Sequence, residues 1–438
     1  MSDVLLTLLG VTAFAVGLLL SIALHEVGHL VPAKRFGIKV TQYMVGFGRT
    51  VWSTRRGETE YGFKAIPLGG YIRMIGMLPP EPGDDPRRLR NVTTGPIQSM
   101  VEDARTAAKL EILPGDEDRV FYRKPWWQKL IVMLGGPFMN VAIAVLLAAF
   151  VLIVLGVPDA DRPQPVVRVV TECVLPADST ARSCPADADP SPAAAAGLLP
   201  GDRFVEVAGR EVDGWDDVSQ AIRSAEGRID VVVERDGERL VLPTTLVQNT
   251  VYRESGDPDS GTVQAGFLGV SPTLEVVRQS PAEVAAFVGD FTVRTAQAVV
   301  SIPQKMVGVW QAAFGGEERD PEGPVGIVGV GRIGGEVAAL DESATVRIGT
   351  FLLILASLNM ALAVFNLIPL LPLDGGHAAG AVWEGIKRGY ARVRGLPEPA
   401  PVDVARALPL AYGVATVLVA MSVLLLYADI VNPISLDN

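Results

Sequence analysis

Two of the three histidines in this chain of 438 residues stand four positions apart, in the segment SIALHEVGH over residues 21–29. Side chains at positions i and i+4 of an α-helix project from the same face, so His25 and His29 can present both imidazoles to one metal ion. Glu26, beside the first histidine, is positioned to accept a proton from a water molecule that such a metal acidifies. This spacing predicts a zinc centre with a general base, the arrangement that hydrolyses peptide bonds.

The third ligand must come from elsewhere in the chain, because a catalytic zinc takes three protein ligands and leaves one position open. The segment FNLIPLLPLDGGH over residues 365–377 holds the third histidine, His377, and the acidic residue Asp374. Asp374 follows an uncharged run of 26 residues, where its carboxylate is an available oxygen ligand. We therefore favour Asp374 as the third ligand, with His377 as a hydrogen-bonding residue behind the ligands or as an alternative ligand.

Four uncharged stretches are long enough to cross a bilayer, which takes about 20 helical residues. They cover residues 4–24, 130–157, 348–373 and 407–428. Hydrophobic residues make up 49% of the chain and charged residues 20%, which excludes a disordered or ordinary soluble protein. The first stretch follows the acidic Asp3 and has no cleavage motif after it, which argues against a signal peptide. The pattern predicts a polytopic α-helical membrane protein with four transmembrane helices.

The charges outside these stretches are distributed unevenly. Residues 30–129 carry 17 Lys and Arg against 11 Asp and Glu, a net charge of +6, whereas residues 158–347 carry 16 against 30, a net charge of −14. Loops with Lys and Arg near the span ends stay in the cytoplasm. We therefore predict cytoplasmic first and last loops, an extracytoplasmic middle segment, and both termini outside. The overall charge of −11 argues against nucleic acid as a partner.

Two features of the middle segment suit the extracytoplasmic side. Its cysteines, Cys173 and Cys184, lie where disulfides form, so we predict a bridge between them, with two free thiols as the alternative. The phrase SPAAAAGLLPGDRFVEVAGREVDGWDDVSQAI over residues 191–222 resembles a PDZ domain in the permuted bacterial arrangement. Such an α+β domain binds extended peptide ends at an exposed sheet edge. The alternative is a spacer that binds nothing.

Two further segments are assigned to structure near the bilayer. Residues 41–76 alternate apolar and small residues around an RRGE turn, which predicts β-hairpins. Apolar hairpin backbone close to a bilayer must be buried against protein or line a wet cavity. The mixed apolar pattern of residues 281–314 predicts one or two helices along the membrane surface.

Seven segments follow one another in the order found in one protein family. They are HEVGH (25–29), GFG (46–48), GGYIRMIG (69–76), GGPFMN (135–140), the PDZ-like insert, GPVGIVGVG (323–331) and NLIPLLPLDGG (366–376). The chain resembles the site-2 proteases, which are intramembrane zinc metalloproteases, and specifically their RseP-like branch. With one PDZ-like insert, it is most similar to the single-PDZ actinobacterial members. The resemblance covers nearly all of the chain except about residues 77–120, which we interpret as a lineage-specific insertion.

The resemblance implies one Zn²⁺ per chain and a role for each residue that matches the family motifs. The implied residues are His25, His29 and Asp374 as zinc ligands, Glu26 as the catalytic base, Asn366 and Pro369 as the positions that break a helix and hold the substrate strand, and Gly46, Phe47 and Gly48 in a re-entrant hairpin that clamps it. A substrate helix must be unwound before water can attack it, because its peptide groups are hydrogen-bonded and shielded.

The resemblance also implies an activity and a location. The substrates are single-span membrane proteins such as anti-sigma factors, cut within their transmembrane segment after a prior site-1 cut. The lipid bilayer is that of the bacterial plasma membrane, with the active site toward the cytoplasmic side. The alternatives are a same-fold protease that clears signal-peptide remnants, a membrane-anchored zincin with an aqueous site, and an inactive membrane PDZ scaffold.

These expectations divide the chain into nine segments. They are the first transmembrane helix with HExxH (1–36), the membrane-associated β-hairpin region (37–76), a cytoplasmic insertion (77–127), the second transmembrane helix (128–158), the PDZ-like domain (159–276), membrane-surface helices and a linker (277–346), the third transmembrane segment with the LDG motif (347–376), a cytoplasmic loop (377–406) and the fourth transmembrane helix (407–430).

Overall fold

The computed structural model describes most of the chain and separates it into two compact units. The described residues are 3–80, 96–176, 179, 184–185, 188–253, 260–321, 323–340 and 342–434. The first unit contains the residues up to Leu155 and those from Gln279 onward, and the second contains Gly156–Arg278. Residues 81–95, within the predicted insertion, lie outside the described residues.

The described residues form ten α-helices and ten β-strands. The helices are α1 (Asp3–Arg35), α2 (Pro96–Leu110), α3 (Trp126–Ala149), α4 (Pro192–Ala196), α5 (Trp215–Ser224), α6 (Pro281–Phe314), α7 (Ile327–Ala339), α8 (Ala344–Asn366), α9 (Asp374–Arg394) and α10 (Leu408–Val431). The strands are β1 (Val40–Arg56), β2 (Thr59–Met74), β3 (Val157–Val170), β4 (Arg203–Val207), β5 (Arg210–Glu211), β6 (Arg228–Arg235), β7 (Glu238–Thr245), β8 (Val247–Tyr252), β9 (Thr262–Phe267) and β10 (Val270–Val277).

Four helices among the described residues are long and apolar enough to cross a membrane, which confirms the four predicted spans. They cover Val4–Arg35, Trp126–Leu155, Ala344–Asn366 and Val404–Val431. The second of them extends α3 through a π-helical segment, Phe150–Leu155. A multi-pass membrane protein follows from these four helices.

The third span is shorter than its uncharged run, which continues to residue 373. Helix α8 ends at Asn366, and α9 begins at Asp374. Pro369 and Pro372 lie between them, and a proline removes a backbone donor and pushes the residue before it out of the helical region. The apolar run therefore contains one span and an irregular connection. The predicted loop 377–406 is mostly helical, because α9 continues to Arg394.

Strands β1 and β2 form one antiparallel hairpin that is folded back on itself. Val45 is paired with Gly70 on one side and with Phe63 on the other, so the two long strands make four short rows of backbone. Gly46 and Gly48 have φ of +94° and +84°, and at Gly46 a Cβ would lie 2.7 Å from the Ile66 carbonyl oxygen. Only glycine accommodates a positive φ together with so close a carbonyl oxygen, at the point where the strand folds back. Residues 70–74 pair with β1 on one side only, so they form an edge of this sheet.

Helix α6 is a single helix of 34 residues over the segment where one or two helices were predicted. It begins with a capping box in which Glu283 and Ser280 satisfy each other's backbone amides. Its apolar residues pack against the third and fourth spans. The contacting residues are Val288 and Phe291 against Ala356 and Met360, and Met306, Val309 and Ala313 against Leu424, Leu425 and Ala428.

The second unit is an α+β domain whose bounds lie within three residues of the predicted 159–276. Its main sheet is antiparallel with the order β10-β3-β4-β6-β7, and β5 pairs with β4. Although burial raises the pKa of the Asp202 carboxyl, hydrogen bonds from Arg235 and the Leu199 amide outweigh it and hold that pKa below its usual range. The structure joins Cys173 and Cys184 in a disulfide.

Candidate metal centre

The two histidines of the HExxH motif and Asp374 meet at one point of the first unit. The Nε2 atoms of His25 and His29 lie 3.2 Å apart. Each of them lies 3.3 Å from Oδ2 of Asp374. Helix α1 supplies both imidazoles from one face, and the first residue of α9 supplies the carboxylate. This is the one group of three such ligands in the described part of the chain that is close enough to hold a metal ion.

The donor set fits zinc. Ligand atoms of a tetrahedral zinc, each about 2.0–2.1 Å from the metal, lie about 3.3 Å from one another. Nδ1 of His29 lies 2.7 Å from the Val132 carbonyl oxygen, which can only accept, so Nδ1 is the donor and Nε2 keeps its lone pair for the centre. Oδ2 of Asp374 is buried without a hydrogen-bond partner. Nε2 of His29 and Oδ2 of Asp374 are therefore two acceptors that face each other, and a cation bound between them would satisfy both.

Glycines allow α3 to approach the two imidazoles. A Cβ at Gly28 of α1 would lie 2.2 Å from the Gly135 carbonyl oxygen, so the two helix backbones are in direct contact. A Cβ at Gly136 would lie 2.2 Å from Nε2 of His29 and 2.6 Å from Nε2 of His25. The GGPFMN segment therefore forms the back wall of the candidate centre with bare backbone.

A methyl group at this wall should displace the ligands. We expect Gly136→Ala to weaken zinc binding about 10- to 100-fold, a loss of the size seen when the surroundings of a metal ligand are disturbed. Zinc content of the purified protein across a series of chelator concentrations measures it. Gly349→Ala on α8 is the matched control, because its Cβ would meet Val151 at an ordinary 3.5 Å. Unchanged zinc affinity in Gly136→Ala would show that the α3 backbone shifts to accommodate the methyl group.

Helix α9, which carries Asp374, is fastened to α3 by a buried ion pair. Nζ of Lys129 lies 2.7 Å from Oε2 of Glu384, and both side chains are at most 6% exposed. Arg388 adds a second contact to Glu384, at 3.0 Å. A buried charge left without its partner is costly, so this pair holds α9 in place on α3.

Glu26 lies in the same cavity as the three candidate ligands. Its side chain is 8% exposed, and a Cβ at Gly70 would lie 2.9 Å from its Cγ. The cavity has a volume of about 390 Å³. Its other lining residues include Tyr71 and Ile72 from the edge of the hairpin sheet. A carboxylate beside three metal ligands can serve as a general base for hydrolysis.

The remaining predicted site residues divide into two groups. Asn366, at the end of α8, lines the cavity, as does His377. Pro369 stands in the connection between α8 and α9 and does not line it. The predicted hairpin residues of 46–48 do not line it either, although the Phe47 ring stacks on Tyr71 with centroids 6.3 Å apart.

Two walls of the cavity consist of residues for which the sequence predicts no role in the site. The hairpin edge contributes residues 69–72, which belong to the GGYIRMIG motif, and α3 contributes Met133 and Asn140, next to and within GGPFMN. The sequence predicts a hairpin region that includes the first motif, but it does not place either motif beside the metal ligands. The glycine pairs within them were the available signal, since glycine marks places where backbones or ligands approach closely.

Comparison with known proteins gives a consistent assignment. The model of the family described as peptidase family M50 matches residues 13–396. Zinc metalloprotease Rip1 of Mycobacterium bovis is 37% identical over 435 residues, covering 98% of each chain. Rip1 of Mycolicibacterium smegmatis is 34% identical over 438 residues with the same coverage. Metalloprotease MmpA of Caulobacter vibrioides is 28% identical over 389 residues, or 84% of each chain.

These matches confirm the resemblance that the motifs carried and extend it over almost the whole chain. The family accounts for the HExxH helix, the distant aspartate and the four apolar helices together. The chain belongs to peptidase family M50, the site-2 protease family of membrane metalloendopeptidases.

Proposed function

We propose that the protein is an intramembrane zinc metalloprotease that hydrolyses a peptide bond within the transmembrane segment of single-span membrane proteins. One observation carries this proposal: three converging ligand atoms share a cavity with Glu26 at the end of a helix long enough to span a membrane. The relatives named zinc metalloproteases over the full chain length support zinc as the metal.

The residues of the cavity have defined roles in this reaction. His25, His29 and Asp374 would hold one zinc ion, which supplies a Lewis acid that polarises the scissile carbonyl and acidifies water. Glu26 accepts a proton from the attacking water molecule and returns it to the leaving amine nitrogen. The Val132 carbonyl keeps the His29 ring in the orientation and tautomer that this requires.

The substrate backbone must be held as an extended strand while its peptide bond is attacked. The edge of the hairpin sheet at residues 70–74 lies beside Glu26, so a substrate strand added there would pass the candidate centre. The side-chain amide of Asn366 faces the same cavity. In this proposal Gly46, Phe47 and Gly48 act on the substrate indirectly. They shape the fold of the hairpin, and the Phe47 ring stacks on Tyr71, which lines the cavity.

The orientation follows from the charge distribution. The basic first and last loops are cytoplasmic, the termini are outside, and the acidic second unit is extracytoplasmic. We assign that unit as a PDZ-like domain that inspects the stump of a substrate already cut outside the membrane. A groove of about 760 Å³ in it, lined by α5, β8 and β10, supports peptide binding. Anti-sigma factors are the proposed substrates, by resemblance to the RseP-like branch.

Cleavage of a tagged single-span anti-sigma factor in detergent tests the proposal. Two forms are compared, one with its full extracytoplasmic domain and one trimmed to a short stump, with zinc measured alongside. We expect cleavage of the trimmed form only. Bound zinc without cleavage of either form would contradict the proposed substrate class, and absence of zinc would favour an inactive scaffold. Efficient cleavage of the untrimmed form would remove the proposed role of the PDZ-like unit.

A further inference from the structure

Asn140 is a buried polar residue in the wall of the catalytic cavity. It lies in the middle of α3, is 1% exposed, and lines the cavity together with Glu26 and Asn366. Its Oδ1 atom is buried and has no hydrogen-bond partner in the described part of the chain. A buried amide oxygen without a partner is costly, so a residue of this kind requires an explanation.

The position of Asn140 on α3 places it close to the metal ligands without joining them. It follows Gly136, where an added Cβ would collide with both imidazoles, by four residues. Four residues advance a helix by about 6 Å and return to nearly the same face. Asn140 therefore faces the cavity one helical turn away from the candidate zinc, near enough to meet the substrate that the zinc would act on.

A second buried asparagine, Asn359, has a structural role and provides a comparison for Asn140. Asn359 of α8 is 0% exposed, and its Nδ2 donates to Oγ of Ser21 at 2.9 Å and to the Leu355 carbonyl oxygen at 2.8 Å. Its Oδ1, like that of Asn140, is buried without a hydrogen-bond partner in the described part of the chain, so the pair of hydrogen bonds donated by Nδ2 is what marks Asn359 as structural. It joins α8 to α1 and does not line the cavity. The structure therefore distinguishes the two asparagines, since Asn140 lines the cavity and Asn359 links two helices.

The chemistry of the side chain matches an unwound peptide. A carboxamide offers one acceptor and a pair of donors, as needed by the N–H and C=O groups that a substrate exposes when its helix opens. Asn366 and the hairpin edge present polar groups to the same cavity from α8 and β2. The α3 wall has no backbone donor to offer there, because a helix interior uses its own amides.

We infer that Asn140 is a substrate-binding residue, whose amide hydrogen-bonds the main chain of the unwound substrate beside the scissile bond. This inference rests on the proposed function and adds a third polar anchor to the cavity. Its ligand is a peptide backbone, so it should act on substrates of different sequence.

Kinetics with a matched pair of variants tests the inference. We expect Asn140→Leu to lower kcat/KM about 10- to 100-fold, the loss expected when a buried hydrogen bond to the substrate is removed. Zinc content and the thermal midpoint should stay near those of the unchanged protein. Asn359→Leu should show the reverse pattern, with a lower midpoint and kcat/KM of the folded fraction within about twofold, because it loses the hydrogen bond that joins α8 to α1 and no contact with the cavity.

Cross-linking provides a readout that a structural role would not affect. Both cysteines are in the disulfide, so a cysteine introduced at position 140 is the one free thiol of the described chain. In a Glu26→Gln background, Asn140→Cys should be joined by a short bismaleimide to a trimmed substrate carrying single cysteines near its cleavage position. Asn359→Cys should not react with any of them.

The results separate failure of the inference from failure of the proposed function. If the unchanged protein cleaves the substrate and Asn140→Leu cleaves it equally well, Asn140 is a packing residue and the inference is wrong. The inference is also overturned if Asn140→Cys gives no cross-link that exceeds the Asn359→Cys control. If the unchanged protein with bound zinc cleaves nothing, the proposed substrate class fails instead.

Discussion

Replacing Glu26 by glutamine should abolish peptide cleavage while leaving zinc bound. Glutamine keeps the shape of the side chain and fills the same place beside Gly70, but it cannot accept a proton. A positioned general base contributes about 10²- to 10⁴-fold to a hydrolytic rate, so the rate of cleavage should fall by that factor relative to the unchanged protein. Cleavage of the trimmed substrate in detergent, with zinc quantified in the same preparation, measures both effects.

A matched control keeps this result specific. Glu58→Gln removes a carboxylate of the same type from the turn between β1 and β2, where Glu58 pairs with Arg119 at 2.6 Å. That pair is partly exposed and contributes little to stability, so activity should be retained. Undiminished cleavage by Glu26→Gln would remove Glu26 from the mechanism, whereas loss of zinc together with activity would make it a structural residue.

Replacing Asp374 by alanine should remove the metal from the protein. Two imidazoles alone leave a zinc site one protein ligand short, and the described residues offer no other group of three ligand atoms close enough to hold a metal ion. Zinc per chain, measured after dialysis against a weak chelator, should fall to less than about one tenth of the level in the unchanged protein. Cleavage should be lost in parallel.

His377 supplies the comparison for this experiment, since it stands three residues away on α9 and lines the same cavity. It is absent from the group of converging ligand atoms. His377→Ala should therefore retain zinc at a stoichiometry near that of the unchanged protein. The opposite order, with metal lost from His377→Ala and kept by Asp374→Ala, would overturn our choice of third ligand.

Local spacing made part of the centre predictable. His25, His29 and Glu26 lie within five residues of one helix, so their relation follows from helix geometry alone. Asp374 was predictable because it follows a long uncharged run, and because the family motif over residues 366–376 contains it. The four spans were equally accessible, since each is a long run without charge.

The other walls of the cavity depend on long-range packing, which the spacing of residues does not reveal. Nothing in the spacing of residues 69–72 places them beside Glu26, because that contact depends on how the hairpin folds back on itself. Asn140 and Asn359 both lie in apolar segments. What distinguishes them is the hydrogen bond from Asn359 to Ser21 of another helix and the position of Asn140 in the cavity wall. Hydropathy alone did not show the end of α8, because apolar residues continue beyond Asn366, and only the family motif marked Asn366 and Pro369 as positions that break a helix.

The candidate ligands lie at opposite ends of the chain, and this affects when the protease becomes active. His29 leaves the ribosome early, whereas Asp374 follows 345 positions later (374 − 29), after the second unit and the third span. A nascent chain therefore carries an incomplete centre through most of its synthesis and insertion. Zinc would then join the first helix to α9 as a late cross-link, and closing so long a loop favours the finished fold over partly assembled ones.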